Sequence, residues 1–132
     1  MKLIILGCGR VGVRLAHTMD SAGHEVTIVD RNRDAFNKLG ADYGGKMILG
    51  TGIDQDVLRK AGIEQADAFV AVTNGDNTNA MAAQIAKHIF GVPRVVARLY
   101  DPVREETYRL LGLETVCATV MGADKIRDLV LA

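Results

Sequence analysis

The sequence is short of the features that mark several protein classes. With two prolines and no internal repeat, it has no candidate for a linker or a low-complexity segment. Its two cysteines, Cys8 and Cys117, form no C-x-x-C pair and are predicted to be free thiols in a reducing, cytoplasmic protein. Sixteen basic residues balance 16 acidic ones without a basic run, so binding to nucleic acid or to an anionic membrane surface is not expected. No apolar stretch approaches the roughly 20 residues that span a bilayer, which argues against direct membrane insertion.

Apolar residues, in contrast, are abundant and fall in short runs. They make up 48% of the sequence, enough for one domain with a sizeable core. Six runs have the character of buried strands: Leu3–Leu6, Val26–Val29, Met47–Leu49, Ala68–Val72, Arg94–Leu99 and Glu114–Cys117. Because helical patterns separate them, we predict an α/β fold of the Rossmann type. This fold is a doubly wound, parallel, six-stranded sheet in the order 3-2-1-4-5-6 with helices on both faces.

The helices are predicted from apolar spacing, caps and stop signals. The longest covers about residues 77–90, with Met81, Ile85 and Ile89 on one face, a cap at Asp76 or Asn77, and Gly91 as its stop. The others cover about Arg10–Ala22, Asp34–Leu39, Asp54–Ala61, and the segment from Pro102 to Gly112.

The final segment is treated separately from the Rossmann domain, which we assign to residues 1–120. In the remaining segment, residues 121–132, a helix is predicted to start at Gly122, with Ile126, Leu129 and Val130 on one side and no stop signal. Two interpretations are open: an ordinary terminal helix, or the beginning of an element that leads to a partner or to a further domain. We favour the second.

A glycine pattern follows the first strand and precedes a helix. Gly7 allows the tight turn, Gly9 lets the backbone approach a pyrophosphate, and Gly12 lets the helix pack close to the sheet. The helix directs its unpaired N–H groups and positive dipole end at the phosphates. An acid is expected about 20 residues on, at the end of the next strand, and Asp30 stands there. Strand, glycines, helix and acid in this order predict a dinucleotide site.

Strand order places further side chains along the same crevice, because ligands of this fold bind across the carboxyl ends of the strands. Adenine is expected towards Thr51, its ribose on Asp30, and the pyrophosphate on residues 7–12, while the other half of the ligand reaches the ends of the fourth and fifth strands. The predicted nucleotide-binding residues are Gly7, Cys8, Gly9, Arg10, Val11, Gly12, Asp30, Arg31, Gly50, Thr51, Thr73, Asn74, Asn79 and Arg98.

Several of these residues have a second interpretation. Asp30 could simply cap the helix after it, although ribose binding is favoured, and Arg31 weakens its discrimination against a ribose 2′-phosphate. Arg98 suits a phosphate better than a neutral nicotinamide ring, but a surface pair with Asp101 is given equal weight. Arg10 either clamps a terminal phosphate or is a solvated residue in the first turn of its helix.

No set of catalytic groups accompanies this crevice. Cys8 is interpreted as a packing residue, no Tyr is followed by Lys four positions later, and the histidines lack metal-ligand spacing: His17, His24 and His88. Residues 40–46 match the first seven positions of a P-loop, but Met47 stands where Ser or Thr must ligate Mg²⁺, and the match precedes a strand. We therefore predict no catalytic residue and no metal site.

Five segments together resemble a known family: Gly-Cys-Gly-Arg-Val-Gly at 7–12, Val29-Asp30-Arg31, Ala66-Asp67, Val72-Thr73-Asn74 through Asn79, and Ala97-Arg98. They are similar to the nucleotide-binding RCK domain, also called TrkA-N or KTN, of cytoplasmic regulatory subunits of Trk and Ktr potassium-uptake systems. The resemblance implies NAD(H) or ATP/ADP bound at Gly7–Val11, Asp30, Thr73-Asn74 and Arg98. It also implies homodimers that assemble into a ring beneath a membrane potassium channel or transporter, at the inner face of the cell membrane. Nucleotide exchange would change the shape of that ring.

The sequence departs from the family pattern at three points. Gly50-Thr51 replaces the usual Gly-Asp after the third strand, where a hydroxyl could still bond the adenine. The usual proline is missing from residues 116–119, and the small second domain of these subunits is missing as well.

These observations favour a non-catalytic adenine-nucleotide sensor that regulates potassium transport. A sensor needs only different affinities for two states of the protein. The alternative is an NAD-dependent oxidoreductase represented by its cofactor domain, and a third possibility is a structural dimerisation module whose crevice stays empty.

Overall fold

Six parallel strands form one sheet in the computed structural model, which describes residues 1–132. They are β1 (Lys2–Leu6), β2 (Glu25–Asp30), β3 (Lys46–Leu49), β4 (Ala68–Ala71), β5 (Arg94–Arg98) and β6 (Glu114–Val116). Their order is β3-β2-β1-β4-β5-β6, and every neighbouring pair is parallel. The predicted Rossmann-type topology is confirmed, and the carboxyl ends of all six strands lie along one edge of the sheet.

Helices alternate with these strands. The α-helices are α1 (Arg10–Ser21), α2 (Gln55–Lys60), α3 (Asp76–Gln84), α4 (Pro102–Leu110) and α5 (Ala118–Leu131). Two 3-10 helices follow β2 and α2, at Arg33–Leu39 and Ile63–Gln65, and α3 continues into a π-helical turn at Ile85–Ile89. Pro102 lies in the first turn of α4, as predicted, where the N–H that proline lacks would have had no partner.

Alternate residues of β1 enter two separate apolar clusters. Leu3 and Ile5 pack with buried residues of β2, α1 and the first 3-10 helix, whereas Ile4 and Leu6 pack with those of β4, α2 and α3. Side chains alternate across a strand, so a strand that is apolar at every position must be covered on both faces. Each fully buried aliphatic side chain contributes about 1.5–3 kcal/mol to this packing.

The buried face of α3 differs from the predicted one. Met81 and Ile89 are 52% and 56% exposed, and only Ile85 packs partly against the core. The buried face consists instead of Asn79 and four alanines, at positions 80, 82, 83 and 86. Small side chains let α3 lie close to the sheet, so the larger apolar residues of this helix remain outside.

α5 begins at Ala118, four residues before the predicted start at Gly122. It follows β6 almost directly, and the predicted domain boundary after residue 120 therefore falls inside this helix. All its residues are exposed, including Ile126, Leu129 and Val130 at 64%, 66% and 77%. None of the helices, α5 included, combines the length and the apolar character needed to cross a bilayer.

Candidate functional site

The turn between β1 and α1 depends on two glycines. Gly7 has a φ of +113°, and its N–H donates to the Val29 carbonyl at 2.8 Å. A Cβ on Gly7 would lie 2.9 Å from the backbone nitrogen of Thr73, and a Cβ on Gly12 would overlap the Gly7 carbonyl oxygen. Only glycine fits both positions, in agreement with the tight turn expected at Gly7 and the close helix packing expected at Gly12.

Gly9 has a different environment, because no atom of the protein lies within 4 Å of the place its Cβ would take. It is the N-cap of α1, supplies no side-chain acceptor, and is followed by a first turn without an acidic residue. The first N–H groups of α1 and the positive end of its dipole therefore meet open space. An anionic group fits there without displacing protein atoms.

Asp30 lies at the carboxyl end of β2 and is held by the backbone. Its Oδ2 accepts the N–H of Cys8 at 2.8 Å, and its Oδ1 accepts the N–H of Asn32 at 2.8 Å. The following 3-10 helix is capped by Asn32, whose side chain accepts the N–H of Asp34, so the capping role considered for Asp30 is wrong. Each carboxylate oxygen keeps a further lone pair, and the half-buried group is fixed beside the glycine turn.

Cys8 is a packing residue of this turn. Its side chain is 1% exposed, and the thiol donates to the Ala35 carbonyl at 3.2 Å. Burial raises the pKa of the Cys8 thiol, and the charge of Asp30 raises it further, against a smaller lowering by Lys38. The thiol is therefore kept protonated and is poorly suited to act as a nucleophile.

Asn79 is fully buried and links the ends of β4 and β5. Its Oδ1 accepts the N–H and the hydroxyl of Thr73 at 2.9 and 2.6 Å, while its Nδ2 donates to the carbonyls of Thr73 and Arg98 at 3.0 and 2.8 Å. Both amide donors are thus used within the protein. The expectation that Asn79 faces a ligand is wrong, and its role is to position Thr73 and the backbone of Arg98.

Arg98 turns towards β4 instead of the surface. Its Nη2 donates to the carbonyls of Val72 and Thr73 at 2.8 and 3.0 Å, and its guanidinium lies 4.8 Å from the centre of the Tyr100 ring. Its Nε is buried without a partner. The pair with Asp101 that was considered is not formed, because Asp101 caps α4 and contacts Arg104 at 3.7 Å. Arg98 therefore keeps hydrogen-bonding capacity at the carboxyl edge of the sheet.

The other predicted residues lie along the same edge with fewer contacts. Gly50 is half-buried, and its N–H donates to the Asp30 carbonyl at 3.0 Å. The side chains exposed around it and across the edge belong to Arg10, Val11, Arg31, Thr51 and Asn74. The structure thus brings the glycine turn and Asp30 together on one side, and Thr73 and Arg98 on the other.

Sequence reasoning missed the roles of two residues at this edge, Gly52 and Asp76. Gly52 is buried, and a Cβ there would overlap the Leu6 side chain. Asp76 was predicted as a helix cap, but Gly75 is the N-cap of α3, and the Asp76 carboxylate accepts the N–H groups of Tyr100 and Asp101 at 2.7 and 3.0 Å. Only Gly52 left a signal, the repeated glycine at 50 and 52.

Unpaired positive charge adjoins the glycine turn. A depression of about 710 Å³ along α1 is lined in part by Arg10, Arg14, His17 and Lys38, and none of these side chains forms an ion pair. A depression of about 540 Å³ at the amino ends of the strands mixes both charge signs and does not include the glycine turn, so it is not the predicted site. His, Cys, Asp and Glu side chains form no group of three that could hold a metal ion.

Comparison with known proteins agrees with this geometry. Residues 3–119 match the family model of the TrkA-N domain. The chain is 48% identical over 126 residues to the Trk system potassium uptake protein TrkA of Streptomyces coelicolor, which covers 96% of this chain and 56% of that protein. The chain therefore spans a little over half the length of this relative.

Solved structures share the fold. The TrkA-N domain of the inner membrane protein ybaL from Escherichia coli has a TM-score of 0.86 at 16% identity, covering 97% of this chain and 95% of that one. The GsuK channel bound to NAD has a TM-score of 0.81 at 24% identity, covering 97% and 23%. GsuK bound to ADP has the same TM-score and identity, with 33% of its chain covered. Together with the family-model match, the identity to TrkA shows that this chain belongs to the TrkA-N domain family.

Proposed function

We propose that this chain binds an adenine nucleotide, NAD(H) or ATP/ADP, as part of a regulatory subunit that controls a potassium channel or transporter. The observation that carries the binding proposal is the uncapped amino terminus of α1 behind Gly9. No protein atom lies within 4 Å of the place that a Gly9 Cβ would take, and no carboxylate of the first turn competes with a phosphate. Free N–H groups and the helix dipole both favour an anion there, the dipole by about 0.3–1 kcal/mol.

The similar proteins support both parts of this proposal, the bound nucleotide and the link to potassium transport. The similar protein of S. coelicolor is a Trk system potassium uptake protein, and the GsuK structures contain NAD in one case and ADP in another. NAD and ADP share an adenine, a ribose and two phosphates. The half of the edge that contains Asp30 and the glycine turn is the half that suits these shared groups.

In this proposal, different residues at the carboxyl edge of the sheet bind different parts of the ligand. The remaining lone pairs of Asp30 accept ribose hydroxyls, and adenine lies towards Thr51, whose hydroxyl bonds the base. The backbone of residues 7–12 binds the phosphates. The guanidinium of Arg98, held at the end of β4 by the Val72 and Thr73 carbonyls, meets the distal half of the ligand, and Arg10 meets a terminal phosphate.

Regulation is preferred to catalysis because the groups that could transfer protons are engaged elsewhere. Asp30 and Asp76 each accept two backbone N–H groups, and the Cys8 thiol is buried. A nucleotide acts in such a protein by binding two states with different affinities. Reduction of NAD⁺ that depends on a crevice residue would contradict this assignment and favour the oxidoreductase alternative.

The exposure of α5 favours the presence of a protein partner. It is a 14-residue helix with exposed apolar side chains, and isolated helices of this length are marginal in water. We propose that a second copy of the chain covers it in a homodimer, which can extend to a ring on the cytoplasmic side of the membrane against the transporter. A sedimentation mass equal to one chain would contradict the dimer.

The decisive experiment is calorimetric titration of NAD⁺, NADH, ATP and ADP side by side. Binding of at least one of them, in competition with the others, is the expected result, because all four carry the adenosine diphosphate group proposed for the glycine turn and Asp30. If none of the four binds, the nucleotide proposal fails, and the dimerisation module with an empty crevice becomes the better interpretation.

Asp30→Ala is expected to weaken the binding of all four nucleotides by roughly 10- to 100-fold, because the ribose hydroxyls together lose an ionised acceptor worth about 1.5–3 kcal/mol. The same titration measures the effect. Asp42→Ala is the matched control, since Asp42 is an exposed carboxylate away from the crevice. Asp30→Asn keeps an oxygen for the Cys8 N–H and so separates loss of charge from loosening of the turn. Unaltered affinity in Asp30→Ala would refute the ribose assignment.

Arg98→Ala is expected to weaken the binding of ATP by about tenfold or more and the binding of NAD⁺ by less. The reason is that the terminal phosphate of ATP loses a charge-assisted hydrogen bond. Binding constants for the two nucleotides check this difference. Arg94→Ala removes an exposed arginine from the other end of the same strand and serves as the control. Equal losses for ATP and NAD⁺ would argue against a terminal phosphate at Arg98.

A further inference from the structure

The Tyr100 backbone connects the crevice to α5. Its N–H donates to Asp76 Oδ1 at 2.7 Å, and the neighbouring N–H of Asp101 donates to Oδ2 at 3.0 Å. Its carbonyl accepts the Thr119 hydroxyl at 3.0 Å and the Cys117 thiol at 3.6 Å. One peptide segment is therefore hydrogen-bonded to the first residue of α3 on one side and to the first turn of α5 on the other.

The Tyr100 side chain is in contact with the proposed ligand site. Its ring lies under the Arg98 guanidinium, 4.8 Å from the ring centre, and that guanidinium reaches the carbonyls at the end of β4. Asn79 holds the Arg98 carbonyl at 2.8 Å. A ligand phosphate that draws the Arg98 guanidinium away from the Val72 and Thr73 carbonyls would act directly on the ring of Tyr100.

α5 has little else to fix its direction. Thr119 makes the one side-chain hydrogen bond from this helix to another element, since Arg127 bonds only Asp124 and Asp128 of α5 itself. Every residue of the helix is exposed. A change at the Tyr100 carbonyl therefore meets few competing restraints.

We propose that the Tyr100 peptide couples occupancy of the Arg98 end of the crevice to the orientation of α5, with Asp76, Tyr100 and Thr119 as positioning residues. This inference rests on the proposed function, because it requires a nucleotide beside Arg98. It adds the route by which binding reaches the helix that carries the exposed apolar face. Coupling between two sites is reciprocal, so weakening the attachment of α5 must also weaken nucleotide binding.

Thr119→Val tests the coupling. It removes the hydroxyl with little change in volume. We expect it to lower the affinity for whichever of NAD⁺, NADH, ATP and ADP binds most tightly by about two- to tenfold. Hydrogen exchange of residues 121–125 should change on nucleotide addition in the unaltered protein and not in the variant. Thr107→Val is the control, because the Thr107 hydroxyl bonds only the Val103 carbonyl within α4. A purely structural role would fray α5 and leave nucleotide affinity unaltered.

Tyr100→Leu and Tyr100→Phe form a second pair. Leucine removes the ring under Arg98, whereas phenylalanine keeps it and loses a hydroxyl that makes no hydrogen bond. We expect leucine alone to abolish the nucleotide-dependent exchange change in α5. If Thr119→Val and Tyr100→Leu bind and respond like the unaltered protein, the coupling is overturned while the proposed function stands. If the unaltered protein binds no nucleotide, both are overturned.

Discussion

Gly12→Ala is expected to lower the free energy of unfolding by about 3 kcal/mol or more, although alanine is the better helix former. Gly12 lies in the first turn of α1, where helix propensity alone would favour alanine by about 1 kcal/mol. A Cβ there would overlap the Gly7 carbonyl oxygen. That oxygen cannot retreat easily, because Gly7 is hydrogen-bonded to Val29 and lies against the backbone of Thr73. Overlap with the backbone therefore outweighs propensity.

Denaturant unfolding measures this loss, and Gly9→Ala is the control in the same turn. Gly9 has a φ of −92°, which any residue adopts, and its Cβ would meet nothing, so the free energy of unfolding should change by less than about 1 kcal/mol. Gly9→Ala should still bind nucleotide more weakly, because its methyl group enters the space proposed for a phosphate. If Gly12→Ala unfolds like the unaltered protein, the turn can shift and the steric argument fails.

The fold could be predicted because its signals are local and repeated. The central strands β1 and β4 contain continuous apolar runs, and Asp54, Gly62 and Pro102 mark helix ends by their own chemistry. Where no such residue marks a helix end, the predicted boundary was displaced. α5 starts after Cys117, which makes no side-chain cap, and its start was placed four residues late at Gly122. The number and order of the elements did not depend on that boundary.

The contacts of the candidate site were harder to predict from the sequence, because they join residues that lie far apart in it. Asp76 bonds N–H groups 24 and 25 residues away, and Arg98 bonds carbonyls 25 and 26 residues away. Local reasoning assigned Asp76 to its own helix and, for Arg98, gave equal weight to a ligand phosphate and to Asp101, three positions on. The glycine turn and Asp30 were found because they belong to one βαβ unit with fixed spacing. The sequence therefore predicted the contacts around the glycine turn better than those at the ends of β4 and β5.

Asn79 is a single-residue example of contacts that the sequence alone did not reveal. Its position one turn into α3 suggested a side chain that faces the ligand, yet it is fully buried and bonds four groups of Thr73 and Arg98. A polar residue among alanines is tolerated in the core only when all its hydrogen bonds are made. Its contribution to binding is therefore indirect, through the backbone it holds.

Asn79→Leu is expected to lower the free energy of unfolding by about 3–5 kcal/mol, because the Thr73 N–H, the Thr73 hydroxyl and the Arg98 carbonyl each lose a hydrogen bond in a buried site. Leucine has the branching of asparagine but is larger, so no cavity forms, and overpacking adds to the loss of hydrogen bonds. Urea unfolding measures the effect, and Asn77→Leu, an exposed position in the same helix, is the control. A loss below about 1 kcal/mol would mean that water replaces the amide and that the site is less dry than its burial indicates.

Asn79→Asp adds a pH dependence that leucine cannot have. The introduced carboxyl would face the carbonyl oxygens of Thr73 and Arg98 in a buried site, so its pKa in the folded state is raised above the unfolded value. Its charged form is then favoured in the unfolded chain. Relative to the unaltered protein, the variant should therefore lose stability as the pH rises from about 5 to about 8, whereas the loss in Asn79→Leu stays constant. Equal pH profiles for the two variants would contradict a dry, fully bonded Asn79.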